Sequence, residues 1–366
     1  MLDSEALPSI VELLSDAKLS LSKRCLCGFL TAIFIGWCIA RPMIRWLSLH
    51  KIVQVLRTRQ QVRELAVLHG SKEDTPTMGA IIILIASIAS TLIWASLNDF
   101  IMVTLSVYLA CTLVGALDDL LKISRINTVG VRGWQKLALL AVIVFILFSV
   151  VPHSSRIGNI LTHVNWRWFN AMFSRQAAVI IVAIFCFFVI AGTSNAVNIT
   201  DGVDGLAIAN IMQCLVFFMV IAFYSCGPTA GRHPLITRIA GASEMAVMCA
   251  CFTGGCAVFA LFNAHPASVF MGDMGSIGLG GLLAIVAILL RQHFSLLIVG
   301  IIFVVEVLSV IIQMTSKKFF KKKIFLMSPI HHHFELKGYS EPKIVGAAFA
   351  IQIFCVLAAL LVILCL

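Results

Sequence analysis

Long apolar runs separated by short polar connectors recur along the whole 366-residue chain. They lie near residues 26–48, 79–97, 100–117, 135–152, 177–194, 205–225, 240–262, 276–290, 293–315 and 344–366. Each is close to the roughly 20 residues that carry a helix across a hydrocarbon layer of about 30 Å. Lipid offers no partner for backbone N–H and C=O groups, so runs this long and uniform must be helices rather than barrel strands. The pattern predicts an all-α, polytopic membrane protein with about ten transmembrane helices, forming one integral-membrane unit over 1–366. Residues 1–25 mix Asp3, Glu5, Glu12, Asp16, Lys18, Lys23 and Arg24 with short apolar clusters. No apolar core directly follows a basic start, as a cleavable signal requires. The first span is therefore expected to be retained, with 1–25 a periplasmic segment.

Composition agrees with a life in lipid: 60% of residues are hydrophobic, 12% are charged and the mean hydropathy is +1.01. A net charge of +10 would suggest nucleic acid in a soluble protein. Here most Lys and Arg fall in the connectors after the first, third, fifth, seventh and ninth runs, including Arg57, Arg63, Lys122, Arg132, Lys136, Lys317, Lys323 and Lys337. The positive-inside rule then predicts that these connectors face the cytoplasm and that both termini lie outside. No nucleic-acid partner is expected. The lysine run at 317–323 is accounted for by topology and anionic headgroups. The 12 cysteines lie mostly inside the runs, where they serve as small hydrophobes rather than as a disulfide framework.

Acidic residues carry the chemistry. Beyond the first segment they gather at connectors predicted to be cytoplasmic: Asp118 and Asp119, Asp201 and Asp204, Asp273, Glu335 and Glu341. Desolvated carboxylates are costly unless paired or bound to metal, so this one-sided loading points to a single polar site built from several connectors. Asp118 and Asp119 in GALDDLLK repel each other and require a cation nearby, which Lys122, one turn on, can supply. Carboxylate oxygens also suit Mg²⁺, which bridges substrate phosphates; alternatively, the pair only marks a helix end.

NAVNITDGVDGLA at 195–207 concentrates Asn195, Asn198, Asp201 and Asp204 between two spans. A helix cap by Asp201 or Asp204 would explain one carboxylate and leave the rest for a sugar, a uracil or a metal. In FNAHPASVFMGDMGS, Asp273 sits between Gly272 and Gly275, and Ser276 could cap the following span. Glycines there would let backbone and carboxylate approach a phosphate or its metal. The tract PIHHHFELKG places His331, His332 and His333 in sequence. Consecutive side chains diverge, so phosphate binding is preferred over a shared metal, with a structural role open for at least one. TPTMGA, with Lys72 just before it, could cradle phosphate through Thr75, Thr77 and backbone N–H groups, or simply start a helix. Of the acids inside spans, Glu244 can be an interface marker, whereas Glu306 is expected to face protein groups in a functional or helix-pairing role.

Taken together, TPTMG, DDLLK, NAVNITDGVDGLA, FNAHPASVFMGDMGS and PIHHHFELKG resemble, in order and between about Lys72 and Glu341, the polyprenyl-phosphate N-acetylhexosamine-1-phosphate transferases. HHHFELKG is similar to the muramoyl-pentapeptide branch. The resemblance implies a ten-helix homodimer that uses Mg²⁺ to transfer phospho-N-acetylmuramoyl-pentapeptide from UDP-N-acetylmuramoyl-pentapeptide to undecaprenyl phosphate, giving lipid I and UMP. By motif, Asp118 would deprotonate or position the lipid phosphate, Asp119 would organise the metal site and Asp273 would ligate Mg²⁺. Asn195, Asn198, Asp201 and Asp204 would line the nucleotide and sugar-phosphate region, with Phe270 beside the uracil and Gly272 close by. Lys72, Thr77, Lys122, Lys136, Asn263, Ser276, His331 and His333 are further binding candidates, and His332 is counted among the catalytic ones. Departures occur at Asp74, at Ala80 and in PKIVGAAFA after Glu341, where a basic and aromatic run is expected. A UDP-N-acetylglucosamine enzyme of the same superfamily and a covalent two-step route stay open. A transporter is disfavoured, because its polar site would lie near the bilayer midplane.

Overall fold

The computed structural model describes residues 19–53, 74–124, 130–151, 157–158, 174–226 and 236–365. Lys72 and most of the 1–25 segment lie outside them. Helices α1 (Leu21–Leu49), α2 (Ala80–Trp94), α3 (Asp99–Ser124), α4 (Gly133–Val150), α5 (Arg175–Thr200) and α6 (Leu206–Tyr224) come first. They are followed by α7 (Ser243–Asn263), α8 (Gly272–Leu289), α9 (His293–Val299), α10 (Ile301–Phe319), α11 (Ile330–Leu336) and α12 (Glu341–Cys365). Every predicted run yields a helix, and the described residues include an isolated β-bridge between Val53 and Pro76.

Eight of these helices are long and apolar enough to cross a membrane, and a ninth crossing arises if α9 and α10, bent by 82°, form one span. The bend falls at Gly300, where the sequence showed one continuous apolar run. The run at 79–97 yields the 15-residue α2, about 22 Å long and thus shorter than the hydrocarbon core. The chain is a polytopic membrane protein. Its outer helices present bare apolar side chains, such as Phe34 and Trp37 on α1, Phe145 and Val150 on α4, and Phe354 and Leu361 on α12. In water such a surface would be an aggregation liability; in lipid it is the favourable one.

At the centre lies α8, buried at every residue from Met274 to Leu289. Small residues permit this, because helix association in lipid depends on close packing rather than on the hydrophobic effect. A Cβ at Gly278 would fall onto the Thr112 hydroxyl of α3, and one at Gly280 onto the Ser194 backbone of α5. Helix α10 inverts the soluble pattern. Its buried face carries Glu306, Ser309, Gln313 and Ser316, while Val305, Leu308, Ile311 and Met314 are exposed. Gln313 accepts from the backbone N–H groups of Ile324 and Phe325 and donates to the Phe325 carbonyl, so the inward polar stripe holds the loop that leads to α11.

Candidate active site

Connector residues meet at one end of the helices. Thr77 N–H donates to the Ile52 carbonyl, Phe270 N–H to the Pro76 carbonyl and Gly79 N–H to the Phe270 carbonyl, which stitches the end of α1 and the start of α2 to the approach of α8. Those backbone donors of TPTMG are thus already used, and α2 starts after Gly79 with no side-chain cap.

The end of α3 and the start of α8 bring three carboxylates together: one oxygen each of Asp118, Asp119 and Asp273 lies within 4.8 Å of the others. This approach is built by glycines. A Cβ at Gly115 would fall onto the Asp273 carbonyl, and Gly272 (φ 77°) lies where a Cβ would come 2.6 Å from Asp119 Oδ2 and 3.0 Å from the Thr77 hydroxyl. Lys122 Nζ is 2.6 Å from Asp118 Oδ2 and 3.0 Å from Asp273 Oδ2. Lys136 Nζ, from α4, is 2.9 Å and 2.7 Å from the same two oxygens. Three carboxylates against two ammonium groups leave a formal surplus of negative charge. Asp118 Oδ1 also accepts from Val131 N–H at 2.5 Å.

Asp119 has a second task that spacing could not reveal. Its two oxygens accept from Asp273 N–H (3.1 Å) and Met274 N–H (2.9 Å), so a residue on α3 satisfies the open first turn of α8. Ser276, a possible cap, instead sits inside α8, donates to the Gly272 carbonyl and accepts from the Asn198 amide at 2.8 Å. This joins the end of α5 to the carboxylate cluster.

The loop between α5 and α6 also departs from the capping expectation. The residue before α6 is Gly205 (φ 83°), and no side chain caps the helix. Asp201 ends α5 instead. Asp204 Oδ2 accepts from Ala267 N–H at 3.1 Å and lies 3.2 Å from His265 Nδ1, while its own N–H donates to Glu341 Oε2. Asp204, His265 and Glu341 form a second convergent group. His265 was given no role by the sequence, because nothing local signals a partner on α12. Asn263 accepts from Gly205 N–H and donates to the Val269 carbonyl, which closes this loop against the next. Asn195 donates to the Ala191 carbonyl of its own helix. Asp201 is half-buried, and desolvation, with the charges of Asp273, Asp119 and Asp204, pushes its carboxyl up to about 8.

The three histidines diverge on the short helix α11. His331 is buried, with Nδ1 3.1 Å from Glu306 Oε2. His332 Nδ1 is 2.6 Å from Glu335 Oε2, and His333 Nδ1 accepts from Leu326 N–H. The intramembrane Glu306 thus faces His331, and Glu244 has a partner of its own. Glu244 is no mere interface marker: at the opposite end of the helices, it forms a two-pronged ion pair with Arg24.

This end of the molecule gathers clustered carboxylates and lysines at the edge of a helical membrane domain. A family model described as Glycosyl transferase family 4 matches residues 100–291. The phospho-N-acetylmuramoyl-pentapeptide-transferase of Buchnera aphidicola subsp. Baizongia pistaciae (strain Bp) is 36% identical over 343 residues, covering 92% of this chain and 97% of that protein. The transferase of the same name from Methylacidiphilum infernorum (isolate V4) is 37% identical over 327 residues, 86% of each chain. The chain belongs to the phospho-N-acetylmuramoyl-pentapeptide-transferase family.

Proposed function

We propose that this protein transfers phospho-N-acetylmuramoyl-pentapeptide from UDP-N-acetylmuramoyl-pentapeptide to undecaprenyl phosphate, giving lipid I and UMP at the cytoplasmic face of a bacterial inner membrane. The observation that carries the reading is the union of Asp118, Asp119 and Asp273 with Lys122 and Lys136 at a site built from three helices. We further propose ten crossings with both termini outside, a homodimer, and a place in the first membrane step of peptidoglycan synthesis. The full helix ends that hold the carboxylates then match the side to which the basic connectors are assigned.

The residues present suit a divalent cation. Carboxylate oxygens are the ligands Mg²⁺ prefers, and the surplus negative charge calls for a cation. Asp118 and Asp273 would hold it, with Asp119, already tied to α8, in support. Bound there, Mg²⁺ would neutralise the phosphate charge that otherwise opposes attack by one anion on another. Lys122 and Lys136, each shared between two carboxylates, can turn to phosphate oxygens of the donor. Asp118 is placed to accept a proton from, or orient, the lipid phosphate, whose oxygen attacks the sugar-linked phosphorus while UMP departs. Asn198, Asp201 and Phe270 border the same end and suit the nucleotide and sugar.

Purified protein supplied with Mg²⁺, undecaprenyl phosphate and either donor tests this directly. Radiolabelled lipid product and stoichiometric UMP from the muramoyl-pentapeptide donor are expected. Product only from UDP-N-acetylglucosamine would redirect the substrate assignment, and flux across liposomes without UMP release would remove the enzymatic reading.

A further inference from the structure

We infer that Glu306, from inside a membrane-spanning segment, positions the donor-binding loop at 201–204 through His331. This rests on the donor role given above to that loop.

Glu306 and His331 are 3% and 1% exposed, so both are withdrawn from solvent and lipid alike. Burial of this kind is costly for an acid and an imidazole unless each has a partner. Among the described residues their one close polar approach is to each other, at 3.1 Å, and it falls short of an aligned hydrogen bond: Glu306 Oε2 and both ring nitrogens of His331 find no hydrogen-bond partner there. Contacts that serve catalysis are often loose before substrate arrives and tighten afterwards. The other ring nitrogen points at the loop. A Cβ on Gly202 would come 2.5 Å from Nε2, so the imidazole rests against the backbone between Asp201 and Asp204. Only a glycine leaves it room.

The chain of contacts therefore runs from α10 through the ring to the loop. A carboxylate oxygen facing Nδ1 favours the Nδ1–H form of the ring and leaves Nε2 toward Gly202. Helix α10 keeps Glu306 in place through its packing along α5, and α11 keeps His331 in place through the loop that Gln313 holds. A simple core pair would stabilise the fold but would leave substrate affinity unaltered in the folded enzyme.

Kinetics separate the two. Glu306→Leu is expected to raise KM for the UDP donor about tenfold, the worth of one lost charge-assisted contact. KM for undecaprenyl phosphate and kcat should stay within about twofold, a spread worth only ~0.4 kcal/mol. Glu306→Gln, which can still accept from Nδ1, should recover most of the donor affinity. In a His331→Asn background, Glu306→Leu should cost no further donor affinity, because the carboxylate would have nothing left to act through. Additive losses, or a drop in kcat with donor KM unchanged, would overturn the proposal. If the wild type releases no UMP, the functional reading fails first. The ¹⁵N shifts of His331 in detergent then decide the pair: a bias to Nδ1–H that vanishes in Glu306→Leu supports it, and an unchanged ring refutes it.

Discussion

Asp201 shows how a carboxylate's surroundings set its chemistry. Its raised value follows from desolvation and three neighbouring acids, and its sign determines a pH dependence. Between about 4, where an unfolded Asp loses its proton, and about 8, the folded protein holds a proton that the unfolded chain has released. Stability of the ligand-free protein should therefore fall as pH rises through that window and level off above it. Thermal midpoints in detergent across pH 4–9 would show this, and Asp201→Asn should flatten the slope; an unchanged slope would place its origin elsewhere. At this level much was legible. Asp118, Asp119 and Asp273 could be marked because acids are rare in an apolar chain, and they do converge. The partners were not legible: Glu306 with His331, Asp204 with His265, and Arg24 with Glu244 are joined only by folding.

Helix α8 explains why the carboxylates meet at all. Glycines along α3 and α8 replace side-chain bulk with backbone contact, which sets Asp273 beside Asp118 and Asp119. Gly115→Ala would force a methyl against the Asp273 carbonyl, a backbone atom that cannot swing aside. It should cost at least about 1–3 kcal/mol and lower turnover as well. Gly192→Ala on α5, with no atom within 4 Å of the added Cβ, serves as the control and should leave thermal midpoint and activity unaltered. The existence of the helices followed from hydropathy, because lipid forces that answer. The 82° break at Gly300 and the short helix α11 did not follow. A lone glycine in an apolar run and a seven-residue polar helix give no periodic signal, and both depend on neighbours distant in sequence.

Across the molecule the two ends divide the work. One gathers the carboxylates, lysines and histidines. The other is closed by the buried pair of Arg24 and Glu244, with Arg24 also donating to the Trp94 carbonyl and Ser96 N–H donating to Glu244. That pair ties α1, α2 and α7 far from the carboxylate cluster. Glu244→Ala should therefore destabilise by about 3–5 kcal/mol, since it strands a buried guanidinium, while turnover per folded molecule stays at the wild-type level. Parallel losses of stability and of kcat in the surviving folded fraction would show that the ends are coupled.

The cation-binding claim can be probed without any substrate, using Mn²⁺ as the reporter for Mg²⁺. Electron paramagnetic resonance of the purified protein should show one bound Mn²⁺ per chain, displaced by Mg²⁺. Asp273→Asn should abolish both that signal and turnover, yet leave the thermal midpoint close to wild type. Equal Mn²⁺ binding and near-normal turnover in Asp273→Asn would contradict the assignment of this cluster as the metal and phosphate site.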